Sequence, residues 1–74
     1  MDLASLRYFK AVAETQNMSK AAKNLFVSQS ALSKSIRTLE NELGGSLFQR
    51  TGKNLVLNDG GRILLRYANE ILNQ

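Results

Sequence analysis

The stretch SQSALSKSIRTLENELGG, residues 28–45, concentrates the side chains of this sequence that could do chemistry. At 3.6 residues per turn, Leu32, Ile36, Leu39 and Leu43 fall on one stripe, while Ser30, Ser33, Lys34, Arg37 and Asn41 fall on the opposite side. Ser30 and Lys34, four apart on one face, have the spacing of a nucleophile–base dyad. Such a dyad needs a desolvated pocket to depress the lysine pKa, and this face lies opposite the core stripe. The chain has no histidine and no cysteine, which removes the imidazole and thiolate chemistry of most zinc sites and many hydrolases. Its carboxylates are scattered, so neither a metal nor a cofactor is expected. What remains is a surface of hydroxyl, ammonium and guanidinium donors. On periodicity alone, a solvated face accounts for it better than a recognition surface does.

Charge distribution shifts that balance. The formal net charge is +4, which permits an anionic partner without requiring one. Lys20, Lys23, Lys34 and Arg37 occupy a stretch from Thr15 to Leu39 with no acid, and Arg50 and Lys53 lie in another acid-free stretch. Segregation of this kind implies one electropositive face. With 74 residues there is room for one domain and one core, since a chain this short buries only about 60% of the surface it exposes unfolded. No apolar run approaches bilayer-spanning length, the N-terminus lacks a signal-peptide core, and no lipidation motif is present. A soluble, cytoplasmic setting is expected, so the sequon Asn17-Met18-Ser19 carries no weight.

The elements that must position these residues follow from spacing. Leu3, Leu6, Phe9, Val12 and Ala13 predict a first helix from residue 3 to Gln16, with Asn17 and Met18 ending it. Ser19 is the expected N-cap of a short second helix reaching Leu25, whose Ala21 and Ala22 allow close helix approach. Only Phe26 and Val27 separate it from a third helix capped by Ser28, with Val27 and Leu32 placed as a hydrophobic staple and Gly44 as the C-terminal cap. Two helices joined so tightly form a helix-turn-helix candidate, although the turn lacks the frequent glycine. Leu47–Gln49 and Leu55–Leu57 then read as strands around a polar turn, Arg50–Asn54. A last helix starts at Asn58 or Asp59 with an apolar face of Ile63, Leu64, Tyr67, Ala68, Ile71 and Leu72, its first turn weakened by Gly60 and Gly61.

That order describes a mainly α winged helix-turn-helix: a three-helix core, a two-stranded wing and a C-terminal linker helix. Residues 1–58 are the expected winged domain, and residues 59–74 the start of a dimerisation helix. The physics suits duplex DNA. A helix fits the major groove, where serine, glutamine and lysine hydrogen-bond base edges, and hairpin cations reach phosphates or the minor groove. Gln29, Ser30, Ser33 and Lys34 are the expected readers because they lie in the N-terminal half of helix three; Arg37 is the expected phosphate contact.

The sequence resembles the N-terminal DNA-binding domain of LysR-type transcriptional regulators. The resemblance rests on L-x-x-F-x-x-V-A-E at Leu6 to Glu14, on M-S-K-A-A-x-x-L-x-V-S-Q-S-A-L-S-K-x-I-x-x-L-E-x-E-L-G at Met18 to Gly44, on L-F-x-R-T at Leu47 to Thr51, and on L-x-L-N-x-x-G at Leu55 to Gly61. It implies a DNA-facing set of Ser19, Ser28, Gln29, Ser30, Ser33, Lys34, Arg37, Arg50, Thr51 and Lys53. It also implies a homodimer paired through the 59–74 helix on an inverted-repeat operator, with higher oligomers open to a full-length regulator, and no enzyme activity. Ser30 stands where many members have proline and Lys34 where many have arginine, which replaces a bidentate guanine contact with a single-point ammonium. Two other classes are weighed against this one. A protein-interaction module would bind a partner protein and no duplex; a small hydrolase would need the dyad considered above.

Overall fold

The computed structural model describes residues 1–73, which form α1 (Leu3–Thr15), α2 (Met18–Leu25), α3 (Gln29–Leu43), β1 (Phe48–Thr51), β2 (Asn54–Leu57) and α4 (Asp59–Leu72). Gln74, the last residue of the expected linker helix, lies outside the described residues. None of the helices among them is long and apolar enough to cross a membrane.

Each helix begins at a side chain that accepts an orphan N–H: Asp2 from Ser5, Asn17 from Lys20, Ser28 from Ala31 and Asn58 from Gly61. Asn17, not Ser19, therefore caps α2, and Met18 belongs to the helix. Gln16 turns into the left-handed region at φ 56°, so α1 ends one residue before Asn17 and the next helix starts at once. Phe26 takes the place of the absent glycine in the α2–α3 turn, at φ 59°. Its N–H bonds the carbonyl of Lys23 and the Val27 N–H that of Ala22, the pair of bonds that closes a Schellman turn. Gly44 closes α3 in the same way at φ 81°.

Phe9, Val12, Ala21, Ala22, Leu32, Ile36, Leu39 and Leu47 form the buried core. Burying a leucine or phenylalanine contributes roughly 1.5–3 kcal/mol each, which is what fixes α3 against α1 and α2. Leu3 and Leu43 were expected on core stripes, yet they are 51% and 46% exposed. They are the first residue of α1 and the last of α3, so they project past the neighbours that cover the middle turns. Ala68 of α4 is fully buried, and Leu64 and Leu65 pack against the core.

The hairpin is antiparallel, with Phe48 opposite Leu57 and Thr51 opposite Asn54. Its turn is therefore only Gly52-Lys53, and Arg50, Thr51 and Asn54 are strand residues, not parts of a five-residue loop. Gly52 has φ 60° and Lys53 is not in the left-handed region, the type II′ pattern whose twist matches the strands.

Candidate nucleic-acid interface

Leu32, Ile36 and Leu39 point inward, which leaves Gln29, Ser30, Lys34 and Arg37 exposed along the outer side of α3, with Ser33 half-buried at its edge. The wing is fastened beside this face at three places. Leu55 donates its N–H to the Gln16 carbonyl (3.0 Å), tying β2 to the end of α1. Glu40 of α3 accepts the Leu47 N–H at 2.8 Å and the Ser46 hydroxyl at 3.4 Å. Phe48 packs its ring on Phe9, with centroids 5.5 Å apart and planes inclined by 53°.

Strand alternation places Arg50 on the same face as Phe48, towards the helices, and Thr51 on the other. Arg50 consequently borders two open hollows. One, about 190 Å³, gathers Asn17, Ser19, Gln29, Arg50 and Lys53. The other, about 370 Å³, lies between α3 and the wing and gathers Ser33, Arg37, Glu40 and Arg50. The structure thus brings Ser19, Gln29, Ser33, Arg37, Arg50 and Lys53 together. It keeps Ser30 and Lys34 outward on α3, assigns Ser28 to the cap, and turns Thr51 away from both hollows.

Among the described residues, the ion pairs join the N-terminal ammonium to Glu42 and Arg62 to Asp59. Lys20, Lys23, Lys34, Arg37, Arg50 and Lys53 have no carboxylate partner there, so this side presents uncompensated positive charge. Such a field attracts a polyanion, and each ammonium or guanidinium can displace a condensed counterion from a phosphate. Ser30 Oγ stands 3.4 Å from Ser28 Oγ, and both Ser30 and Lys34 are exposed, so nothing desolvates that ammonium for proton transfer.

Three features were missed by the sequence reading. Glu40 was placed only at the flank of the polar face, and no spacing signal marks it as the clasp of the wing. Phe26, 95% exposed in the turn before α3, had been treated only as linker. The Ser19 hydroxyl donates to Gln29 Oε1 at 2.7 Å, a contact between two helices that periodicity within either one does not contain.

A helical core carrying a two-stranded wing, with an exposed basic helix following a tight turn, defines a winged helix-turn-helix domain. Residues 3–62 match the bacterial regulatory helix-turn-helix protein family of lysR type, and the chain belongs to that family. It is 49% identical over 70 residues to a probable RuBisCO transcriptional regulator of Thalassiosira pseudonana, covering 95% of this chain and 23% of that protein. Among solved structures it is similar to the BenM DBD in complex with benA site 1 DNA, at 40% identity and a TM-score of 0.93, over 99% of this chain and 85% of that one. It is also similar to the CbnR DBD–DNA complex, at 40% identity and a TM-score of 0.92, over 99% of this chain and 84% of that one. The chain spans about a quarter of the length of the curated relatives it matches.

Proposed function

We propose that this chain binds duplex DNA sequence-specifically, as the DNA-binding part of a LysR-type transcriptional regulator acting in the cytoplasm. The observation that carries the reading is the convergence of α3 and the wing on one face whose cations lack carboxylate partners. α3 would lie in the major groove, with Gln29, Ser30, Ser33 and Lys34 at base edges and Arg37 at phosphate. Arg50 and Lys53 of the wing would meet the backbone or the minor groove, together with Ser19 and Ser28 at the helix starts; Thr51, on the other strand face, would serve only where the backbone wraps the wing. Phosphate contacts supply affinity and register, and base contacts supply discrimination. Similarity to two protein–DNA complexes supports this assignment, and no catalytic role is proposed.

The division of labour follows: residues 1–58 read DNA, and the helix from residue 59 onward pairs two copies on an inverted repeat. Support comes from Leu43, Ile63 and Tyr67, which are 46%, 51% and 56% exposed and line one apolar groove of about 330 Å³. The test is selection from a random duplex library at a stated salt concentration. Enrichment of a short motif, repeated in inverted orientation, is expected; recovery of no motif even at low salt would overturn the proposal.

A further inference from the structure

We infer that Ser19 is a positioning residue that sets which hydrogen-bonding edge Gln29 presents to a base pair, an inference that rests on the DNA-binding reading above. A glutamine amide has a carbonyl oxygen that accepts and an NH2 group that donates twice. Free to turn, it reads adenine with both ends, Oε1 accepting from N6 and Nε2 donating to N7. Here the Ser19 hydroxyl, on the first turn of α2, donates to Oε1 at 2.7 Å. The carbonyl end of the amide is thereby turned towards α2, and the NH2 end is what remains for the groove.

The consequence is a change in the chemical class of base edge that fits. An anchored Gln29 is a donor, complementary to N7 and O6 of guanine or O4 of thymine, and mismatched to the N4 amino donor of cytosine. Anchoring also removes rotamer freedom before binding, so less is lost when the contact forms. The surroundings agree with this division. Gln29 and Ser19 border the same hollow as Arg50 and Lys53, where cations are available for the phosphate and Ser19 is left to act on the amide. Gln29 and Ser19 are both exposed, so neither is needed by the core, and the hydrogen bond between them has a role to fill other than stability.

The experiment compares duplex-library selection by the parent chain, Ser19→Ala, Ser19→Thr and Gln29→Ala, together with the side-chain amide signals of Gln29 in nitrogen-15 spectra of the free protein. Ser19→Ala is expected to move those amide signals and to lower the base preference at one position per half-site on the order of fivefold. That position should be the one Gln29→Ala also relaxes, while the other positions and the salt dependence stay as in the parent. Ser19→Thr, which keeps the hydroxyl, should restore both the signals and the preference. Amide signals that do not move in Ser19→Ala would overturn the hydrogen bond itself, whether or not DNA binds. Equal weakening on every sequence with a shallower salt slope would make Ser19 a phosphate contact and overturn the inference. If the parent chain enriches a motif and Ser19→Ala enriches the identical one, only this inference fails; if the parent enriches none, the DNA reading fails and takes it down as well.

Discussion

Gly60 and Gly61 are adjacent in the first turn of α4 and look interchangeable in the sequence, yet substituting each with alanine should change stability in opposite directions. A Cβ at Gly61 would stand 2.2 Å from the carbonyl oxygen of Leu47 and 2.8 Å from Leu57 Cδ2, whereas at Gly60 the nearest atom is Asn58 Oδ1 at 3.5 Å. The Leu47 carbonyl cannot simply retreat, because it accepts the Asn58 N–H at 3.0 Å. Replacing glycine by alanine within a helix gains up to about 1 kcal/mol, and Gly60→Ala should collect most of it. At Gly61 that gain is opposed by overpacking of about 1–3 kcal/mol and by weakening of a backbone hydrogen bond worth about 1 kcal/mol. A net loss of about 1–3 kcal/mol follows. At about 4–8 °C per kcal/mol for a domain of this size, Gly61→Ala should melt roughly 5–20 °C below the parent, and Gly60→Ala a few degrees above it. Thermal and urea unfolding followed by far-ultraviolet circular dichroism would measure both, with an unchanged urea slope showing that the same surface is exposed. A Gly61→Ala variant as stable as the parent, or a Gly60→Ala variant that falls with it, would refute the close approach of α4 to the base of the wing.

Three further outcomes are expected. Lys34→Ala should weaken specific binding by about 1–3 kcal/mol and relax preference at one position; a loss equal on all sequences, measured against several duplexes, would reassign Lys34 to phosphate. Arg50→Ala should lower affinity on every sequence and reduce the slope of log affinity against log salt by about 1; titrations at several salt concentrations that return the parent slope would exclude the wing contact. Asp2 is held below the usual carboxylate range, chiefly by the Ser5 backbone N–H and then by the Ser5 hydroxyl. Its cap therefore contributes fully above the unfolded value of about 3.9 and is lost as pH falls through the lower folded value. Unfolding midpoints taken between about pH 5 and pH 2 should drop more steeply in the parent than in Asp2→Asn, and parallel profiles would contradict the cap.

The helices were legible because their signals are local. Ser28 and Gly44 bracket α3 through bonds made within a few residues, and the stripe of Leu32, Ile36 and Leu39 needs only the helical period. Reading failed where a neighbour decides. Asn17 and Ser19 can both cap a helix, and the choice was made by Gln16 adopting a left-handed backbone. Leu43 satisfies the helical wheel but outruns the elements that would cover it. Arg50 and Thr51 were recognised as wing residues, but which of them faces the helices depends on a register fixed by the two-residue turn at Gly52. The contact between Ser19 and Gln29 depends on how α2 crosses α3, and nothing within either helix encodes it.

The separation of anchoring from reading on α3 has a consequence for how such a domain changes over generations. Ser30, Lys34 and Arg37 are exposed and make no contact with the core, and substitutions at such positions usually shift stability by no more than about 0.5 kcal/mol. A duplicated gene could therefore drift towards a new operator one base pair at a time without passing through unfolded intermediates. Gln29 is the exception: because its orientation is held from α2, altering what it recognises calls for compensating change at Ser19, and those two positions should vary as a pair.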